Sequence, residues 1–517
     1  MSLPDIFSRR LSGVLLPLSS VSGNYYCGGL GEGAYRFADF LQRAGQKIWQ
    51  MLPLNPVDAC FSPYSSISTF AADSLYIDLG DLVLSGFLEE SDLSYLPVLS
   101  VDRSAFNVAR DIRRVLLRKA VSRFLRMSGT EYHNAREDFL YKNSWVRNHA
   151  LFCAASEYFG TSDWSTWSNE SWRIFDEDSA AAIFDLLRDE VEYHVVLQLF
   201  FDVQWRRFRE YCNSLGIYLV GDVPIYVSRS SVDTWTHRDL FQVDSCGRMI
   251  RVAGVPADSF NPDGQRWNSP LYNWDNHCAD NFSWWTSRLK NSMRYFDAVR
   301  LDHFIGFYNF FSLPLAPDPQ DCGFWVEGPG ERLFDTIFRE LPDAKLIAED
   351  LGVMNSGVHA LRDKYNLPGI NVFQFNFDFK KNVDATLDWV GNSVVCSGTH
   401  DTNTIAAWFD EVLLDRKKPE PFWDFNFLYG MIKEFVPSGI QINRQTILWG
   451  IIRKIMSTRG NLSIFPMQDL LGLPTDARIN FPGRTKGNWI WRLDDSLLTD
   501  ELADRLASWT SEFNRGI

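Results

Sequence analysis

Phe296-Asp297-Ala298-Val299-Arg300-Leu301-Asp302-His303 is a short apolar run that ends on an acidic residue, and two runs downstream do the same: Lys345-Leu346-Ile347-Ala348-Glu349-Asp350 and Val394-Val395-Cys396-Ser397-Gly398-Thr399-His400-Asp401. A carboxylate at the end of one buried strand carries little information. Three in succession point to the catalytic face of a barrel, because parallel strands are buried on both sides and active sites gather at their C-terminal ends. Runs of this kind number eight over the whole chain: Gly13 to Leu18, Lys47 to Leu54, Tyr218 to Ile225, Phe296 to His303, Lys345 to Asp350, Asn371 to Phe375, Val394 to Asp401 and Leu462 to Leu470. Helix-like segments such as Ala34 to Ala44 and Phe334 to Leu341 fall between several of them. The expected fold is α/β, a (β/α)8 TIM barrel forming a single catalytic domain over residues 1–517.

Two segments are too long to be simple crossovers. Residues 60–215, after the second strand, contain helical stretches at Asn107 to Met127 and Val191 to Cys212 and are expected to form a mostly helical inserted subdomain. Residues 228–285, after the third strand, are rich in Gly, Pro, Asn, Asp and Trp. They leave the barrel on the face where βα loops build active sites, so this excursion is expected to overhang the site.

With 45% hydrophobic and 22% charged residues, the 517-residue chain can bury a large core without disulfides or metals. Its 51 basic and 65 acidic residues leave a net charge of -14, which repels nucleic-acid phosphates and anionic membrane surfaces and favours a neutral or cationic substrate. Aromatics reach 15%, including 19 Trp, enough to fill a core and still offer faces to sugars. The eight cysteines are scattered, with no C-x-x-C pair and no clustering with the eight His, so free thiols in a reducing cytoplasm are expected. Arg9-Arg10 followed by Leu11-Ser12-Gly13-Val14-Leu15-Leu16-Pro17-Leu18 imitates a signal sequence, yet Pro17 and the missing small-residue cleavage site favour a first barrel strand.

Carboxylates in this arrangement suit glycosidic-bond cleavage with retention, which needs a nucleophile on one side of the anomeric carbon and a protonated acid on the other. Asp302 and Glu349 can fill those roles, and Asp401 after His400 is placed to bind ring hydroxyls more tightly as the sugar flattens. Arg300, two residues before Asp302, shares its strand face and can hold it ionised. Each residue alone has a plainer reading. Arg300 and Asp302 can form a structural ion pair, Glu349 can cap a helix, Asp222 can make a turn at a strand end, Tyr64 and Trp267 can pack, and His400 can sit in the core. Asp350 points the opposite way along its strand and is given no chemistry.

Taken together, Arg300-Leu301-Asp302-His303-Phe304, Ala348-Glu349-Asp350-Leu351-Gly352 and Gly398-Thr399-His400-Asp401 resemble the 4-α-glucanotransferase family, the amylomaltases or disproportionating enzymes. The resemblance runs along most of the chain, through Ala44 to Leu54, Ser62-Pro63-Tyr64-Ser65-Ser66, Gly221 to Val227, Val252 to Pro256 and Ala477 to Gly483. It implies Asp302 as nucleophile, Glu349 as general acid/base and Asp401 as transition-state stabiliser, with Tyr64, Asp222, Arg300 and His400 contacting the reacting sugar. Gly264-Gln265-Arg266-Trp267 resembles the family's flexible loop over the acceptor side, which makes Trp267 the expected stacking residue. It also implies α-1,4-glucan and maltooligosaccharide substrates, glucose as an acceptor, and neither an organic cofactor nor a catalytic metal.

Two positions depart from the family pattern. Thr402 follows Asp401 where the family has Asn, so acceptor contacts are expected to differ, and Ala59-Cys60-Phe61 replace Tyr-Gly-Asp, so a remote glucan groove there is in question. Arg478 to Gly487 reads as structural, closing the eighth βα unit. The alternatives are an α-1,4-glucan hydrolase with the same intermediate and a non-catalytic glucan-binding protein. Retention of all three carboxylates speaks against the second. A phosphorylase would need a phosphate loop that this sequence lacks.

Overall fold

The computed structural model describes every residue except 1, 2, 24, 59, 95, 97–101, 128, 129, 258–263, 319, 353, 354, 377–388, 390, 414–428, 431, 437–442, 485 and 517. Among the described residues the strands are β1 (Leu11–Leu15), β2 (Ile48–Gln50), β3 (Tyr218–Val223), β4 (Arg251–Val255), β5 (Gln265–Pro270), β6 (Ala298–Leu301), β7 (Asn309–Pro314), β8 (Phe324–Glu327), β9 (Leu346–Ala348), β10 (Gly369–Val372), β11 (Ser393–Cys396) and β12 (Leu462–Pro466).

Eight of them form one parallel sheet in the order β10-β11-β12-β1-β2-β3-β6-β9. Its outer strands meet where the Ala348 N–H donates to Pro368 O at 2.8 Å and the Ile370 N–H donates to Asp350 Oδ1 at 2.7 Å, so the sheet is nearly closed into the expected barrel. Asp350, given no chemistry above, acts at this seam and also pairs with Arg362. All eight expected runs hold a barrel strand, and each extends past the C-terminal end of its strand. Leu462 to Leu470 is strand only to Pro466, and Met467–Leu471 is a short helix. Val394 to Asp401 leaves the ladder after Cys396. Apolar residues continue past each strand because the loops above the barrel are themselves buried, and hydrophobicity alone does not separate the two.

Side chains of the strands alternate between two cores. Leu11, Leu15, Ile48, Tyr218, Val220, Ala298, Ile347, Val394, Leu462 and Ile464 fill the barrel interior, while Val14, Trp49, Leu219, Val299 and Phe465 face the surrounding helices. Gly13 is required inside, since a Cβ there would lie 2.3 Å from that of Ile48. The strand Leu11–Leu15 sits between β12 and β2 and is fully buried.

Residues 60–215 contain helices Leu79–Leu84, Phe106–Arg126, Thr130–Lys142, Trp145–Phe159 and Glu177–Ser214. The last begins well before the expected Val191, with a break at Leu187 (φ -118°, ψ 28°). A second sheet was not anticipated from the sequence. The antiparallel strands β5-β4-β7-β8 join the excursion after β3 to residues after β6. Gln265–Pro270, expected as loop, is one of its strands.

Candidate functional site

Asp222 is the penultimate residue of β3 and lies opposite Arg300 of β6 in the parallel register. Asp302 and Glu349 come directly after β6 and β9, and their backbones continue the ladder. The Asp302 N–H donates to Val223 O at 3.1 Å, and the Glu349 N–H donates to Leu301 O at 3.0 Å. Strand register alone therefore delivers these side chains to one spot at the C-terminal mouth of the barrel.

Arg300 is the hub. Its Nη1 donates to both carboxylate oxygens of Asp222 at 2.8 and 2.7 Å and to Asp302 Oδ1 at 3.0 Å, while its Nη2 lies 3.9 Å from Glu349 Oε2. Burial alone would weaken the Arg300 charge, but Asp222, Tyr64, Asp302 and Glu349 outweigh it and hold the guanidinium well above its usual range. This fixed cation contacts the carboxylates of Asp222 and Asp302 directly. Burial raises the Glu349 pKa well above the usual carboxylate range; Arg300 opposes this, the Asp302 charge adds to it, the His303 N–H opposes it and Asp350 adds a smaller contribution. The net direction favours the protonated form of Glu349.

His303 was not singled out in the sequence, yet it shapes Glu349. Its φ is left-handed at 46°, and its N–H donates to Glu349 Oε2 at 2.6 Å. Burial lowers the imidazole pKa to about 4, so the ring is neutral at physiological pH. Trp267 of β5 packs edge-on against that ring at 4.8 Å and also lies 5.9 Å from the Tyr226 ring.

The other wall of the site is built differently. Asp401 sits in the loop between β11 and the helix Ile405–Leu413, with its side chain 47% exposed, against 24% for Asp302 and 12% for Glu349. Its Oδ1 accepts from Asn480 Nδ2 at 2.6 Å and lies 3.4 Å from His400 Nε2, and its carbonyl accepts from Arg478. The Asn480 N–H donates to His400 O at 3.1 Å. Arg478 to Gly487 is thus more than a closing segment, which corrects the expectation above: Arg478 and Asn480 hold Asp401. Their signal was available in Arg478-Ile479-Asn480, two polar residues flanking a buried apolar one.

His400 is buried and stacks on Tyr64 at 5.0 Å and 12°, with Trp489 at 6.1 Å. The Tyr64 hydroxyl donates to Asp222 Oδ2 at 2.8 Å, and burial, reinforced by Asp222, raises its pKa well above the usual value. All eight residues expected at the site therefore belong to one chain of contacts, running from Asp401 through His400, Tyr64, Asp222 and Arg300 to Asp302 and Glu349, and through His303 to Trp267. Of the departures, Thr402 uses its hydroxyl within the loop, accepting from the Thr399 N–H at 3.0 Å. Phe61 is held between the Phe106 ring at 5.0 Å and the Arg110 guanidinium at 4.4 Å; Ala59 lies outside the described residues. Among the described residues no cluster of His, Cys, Asp and Glu could hold a metal ion, and no helix is long and apolar enough to cross a membrane.

The family model described as 4-alpha-glucanotransferase matches residues 16–499. A 4-alpha-glucanotransferase of Streptococcus pneumoniae is 37% identical over 511 residues, covering 98% of each chain, and one of Aquifex aeolicus is 36% identical over 94% of this chain and 96% of its own. Among solved structures, an amylomaltase from Streptococcus agalactiae in complex with acarbose superimposes with a TM-score of 0.91 at 33% identity, over 98% of this chain and 100% of that one. A barrel mouth with this arrangement of carboxylates, carried on a sequence so similar over its whole length, assigns the chain to the 4-alpha-glucanotransferase family of glycosyl-transferring enzymes.

Proposed function

We propose that this enzyme transfers α-1,4-glucan segments between maltooligosaccharides by a double displacement at the mouth of the barrel. Asp302 attacks the anomeric carbon of the donor, and Glu349 gives its proton to the departing 4-oxygen, leaving a glucosyl ester on Asp302. The Glu349 carboxylate then takes the proton from the 4-hydroxyl of an acceptor glucan or glucose. That oxygen displaces Asp302, so the anomeric configuration is retained and Glu349 is protonated again. Asp401 binds ring hydroxyls most tightly at the flattened transition state, while Tyr64, Asp222, Arg300 and His400 surround the reacting sugar.

The observation that carries this reading is the Arg300 hub. One buried cation serves Asp222 and Asp302 at hydrogen-bond distance, while the more deeply buried Glu349 lies beyond that distance and accepts from an N–H instead. We assign the part of the nucleophile to Asp302 and that of the acid to Glu349 on this difference. We assign residues 60–215 to an inserted helical subdomain and residues 228–285 to the acceptor-side roof, with Trp267 as the stacking surface for the acceptor sugar. A roof of this kind favours transfer by keeping water from the ester. The scattered cysteines and acidic charge suit a reducing cytoplasm.

Incubation with maltotriose alone tests the function. Glucose together with a ladder of longer maltooligosaccharides is the expected result. Glucose and maltose without longer products would replace transfer by hydrolysis, and no turnover would bring forward a glucan-binding protein.

A further inference from the structure

Asp469 is one of the buried carboxyls that the mechanism does not use. Asp469 lies in the short helix Met467–Leu471 that follows β12, and its side chain is enclosed in the protein. Oδ2 accepts from Ser397 Oγ at 2.5 Å and Oδ1 accepts from the Ile405 N–H at 2.8 Å. Ser397 is the residue after β11, and Ile405 opens the helix Ile405–Leu413. The two bonds thus grip the start and the end of the loop that carries His400 and Asp401.

Its neighbour completes the arrangement from the other side. Gln468 is equally buried, and its Nε2 donates to Ala477 O at 3.2 Å, at the head of the segment whose Arg478 and Asn480 hold Asp401. One turn of helix therefore ties both segments that converge on Asp401. The buried carboxyl is costly to keep for packing alone, since an apolar side chain of similar size would carry no desolvation penalty. Its two acceptor oxygens make two directed bonds that such a side chain lacks.

We propose that Asp469 is a positioning residue for catalysis, acting through the 397–405 loop to hold Asp401 at the reacting sugar. This rests on the reading of Asp401 as transition-state stabiliser. A carboxylate that works only in the transition state is sensitive to small displacements, and a misplacement of about 1 Å costs on the order of 10²-fold. Loss of Asp469 is therefore expected to lower kcat and leave KM nearly unchanged.

Asp469→Ala, Asp469→Asn and Ser397→Ala would be compared with the parent and with Asp401→Asn, each at a temperature where circular dichroism shows it folded. Asn can accept from the Ile405 N–H and donate to Ser397 Oγ. The expected results are a drop in kcat of about 10²-fold for Asp469→Ala with KM for maltotriose within about threefold, a smaller drop for Ser397→Ala, and recovery to within about tenfold of the parent in Asp469→Asn. With α-maltosyl fluoride, whose leaving group needs no proton, the Asp469→Ala defect should persist, because it bypasses Glu349 and not Asp401. Unchanged kcat in Asp469→Ala and Ser397→Ala overturns the proposal, as does an Asp469→Asn as slow as Asp469→Ala. A defect that vanishes with the fluoride overturns the route through Asp401. An active Asp401→Asn removes the underlying reading instead, whatever the Asp469 variants do.

Discussion

The two walls of the site are held in place by different physics. On one, Asp222, Arg300, Asp302 and Glu349 stand on or directly after β3, β6 and β9, where parallel register sets their spacing and Arg300 bonds Asp222 and Asp302. On the other, Asp401 lies in a loop beyond β11, and its geometry depends on Asn480, Arg478 and His400. The strand-borne wall is rigid because moving one side chain means moving the sheet. The loop-borne wall is ordered by the stacking of His400 on Tyr64 and by hydrogen bonds, each worth only about 0.5–1.5 kcal/mol net.

The largest effects are expected on the strand-borne wall. Asp302→Asn should lower kcat by about 10⁴-fold or more while maltotriose binding, measured by calorimetry, stays largely intact. Turnover near that of the parent would remove Asp302 from the nucleophile role. Glu349→Gln should lose roughly 10³-fold with maltotriose; with α-maltosyl fluoride the first step should recover, read as a burst of released fluoride, while transfer to an acceptor stays slow because the base is missing. In the parent, kcat/KM should fall as pH rises through the elevated Glu349 pKa, because the acid form is then lost.

The loop-borne wall should give way more gently. Asn480→Ala removes one bond to Asp401 and should lower kcat by about 10- to 100-fold. A loss as deep as that of Asp302→Asn would erase the distinction between the walls. Trp267→Ala should raise the KM for acceptor glucose by roughly tenfold and increase the share of hydrolysis, read as reducing ends released per transfer. Equal partition in parent and variant would remove Trp267 from the acceptor side.

The smallest effect separates charge from geometry. Burial raises the Asp469 pKa from 3.8 to about 6, against the opposing bonds from Ser397 and the Ile405 N–H. A folded-state pKa above the unfolded one contributes stability that is complete below about 3.8 and is lost as pH rises through about 6. Asp469→Asn should therefore gain thermal stability relative to the parent across that window, by about 3 kcal/mol at most. A stability difference that does not change between pH 4 and 7 would place the Asp469 proton elsewhere.

How much of this was legible in the sequence follows the same division. Asp302 and Glu349 could be read because short apolar runs ending in acid are a local pattern, and strand ends in a barrel converge by construction. His400 and Asp401 are legible from their run and the motif, whereas Arg478 and Asn480, which bond Asp401, read in the sequence only as a closing segment. His303 belongs to the quoted motif but is given no role there, since what it offers Glu349 is a backbone N–H, which almost any residue type carries.

The sequence by itself determined the barrel, its eight strands and the three carboxylates, because hydrophobic periodicity and strand-end chemistry are written within a few consecutive residues. Only the tertiary structure decided that Arg300 bonds both Asp222 and Asp302, that Arg251–Val255 joins Gln265–Pro270 to Asn309–Pro314 in a second sheet, and that Asp469 and Asn480 close on one loop. These are pairings between residues far apart along the chain. Their partners are chosen by packing and by the need to satisfy every buried charge and hydrogen-bonding group, and neither requirement leaves a mark on the local pattern of residues.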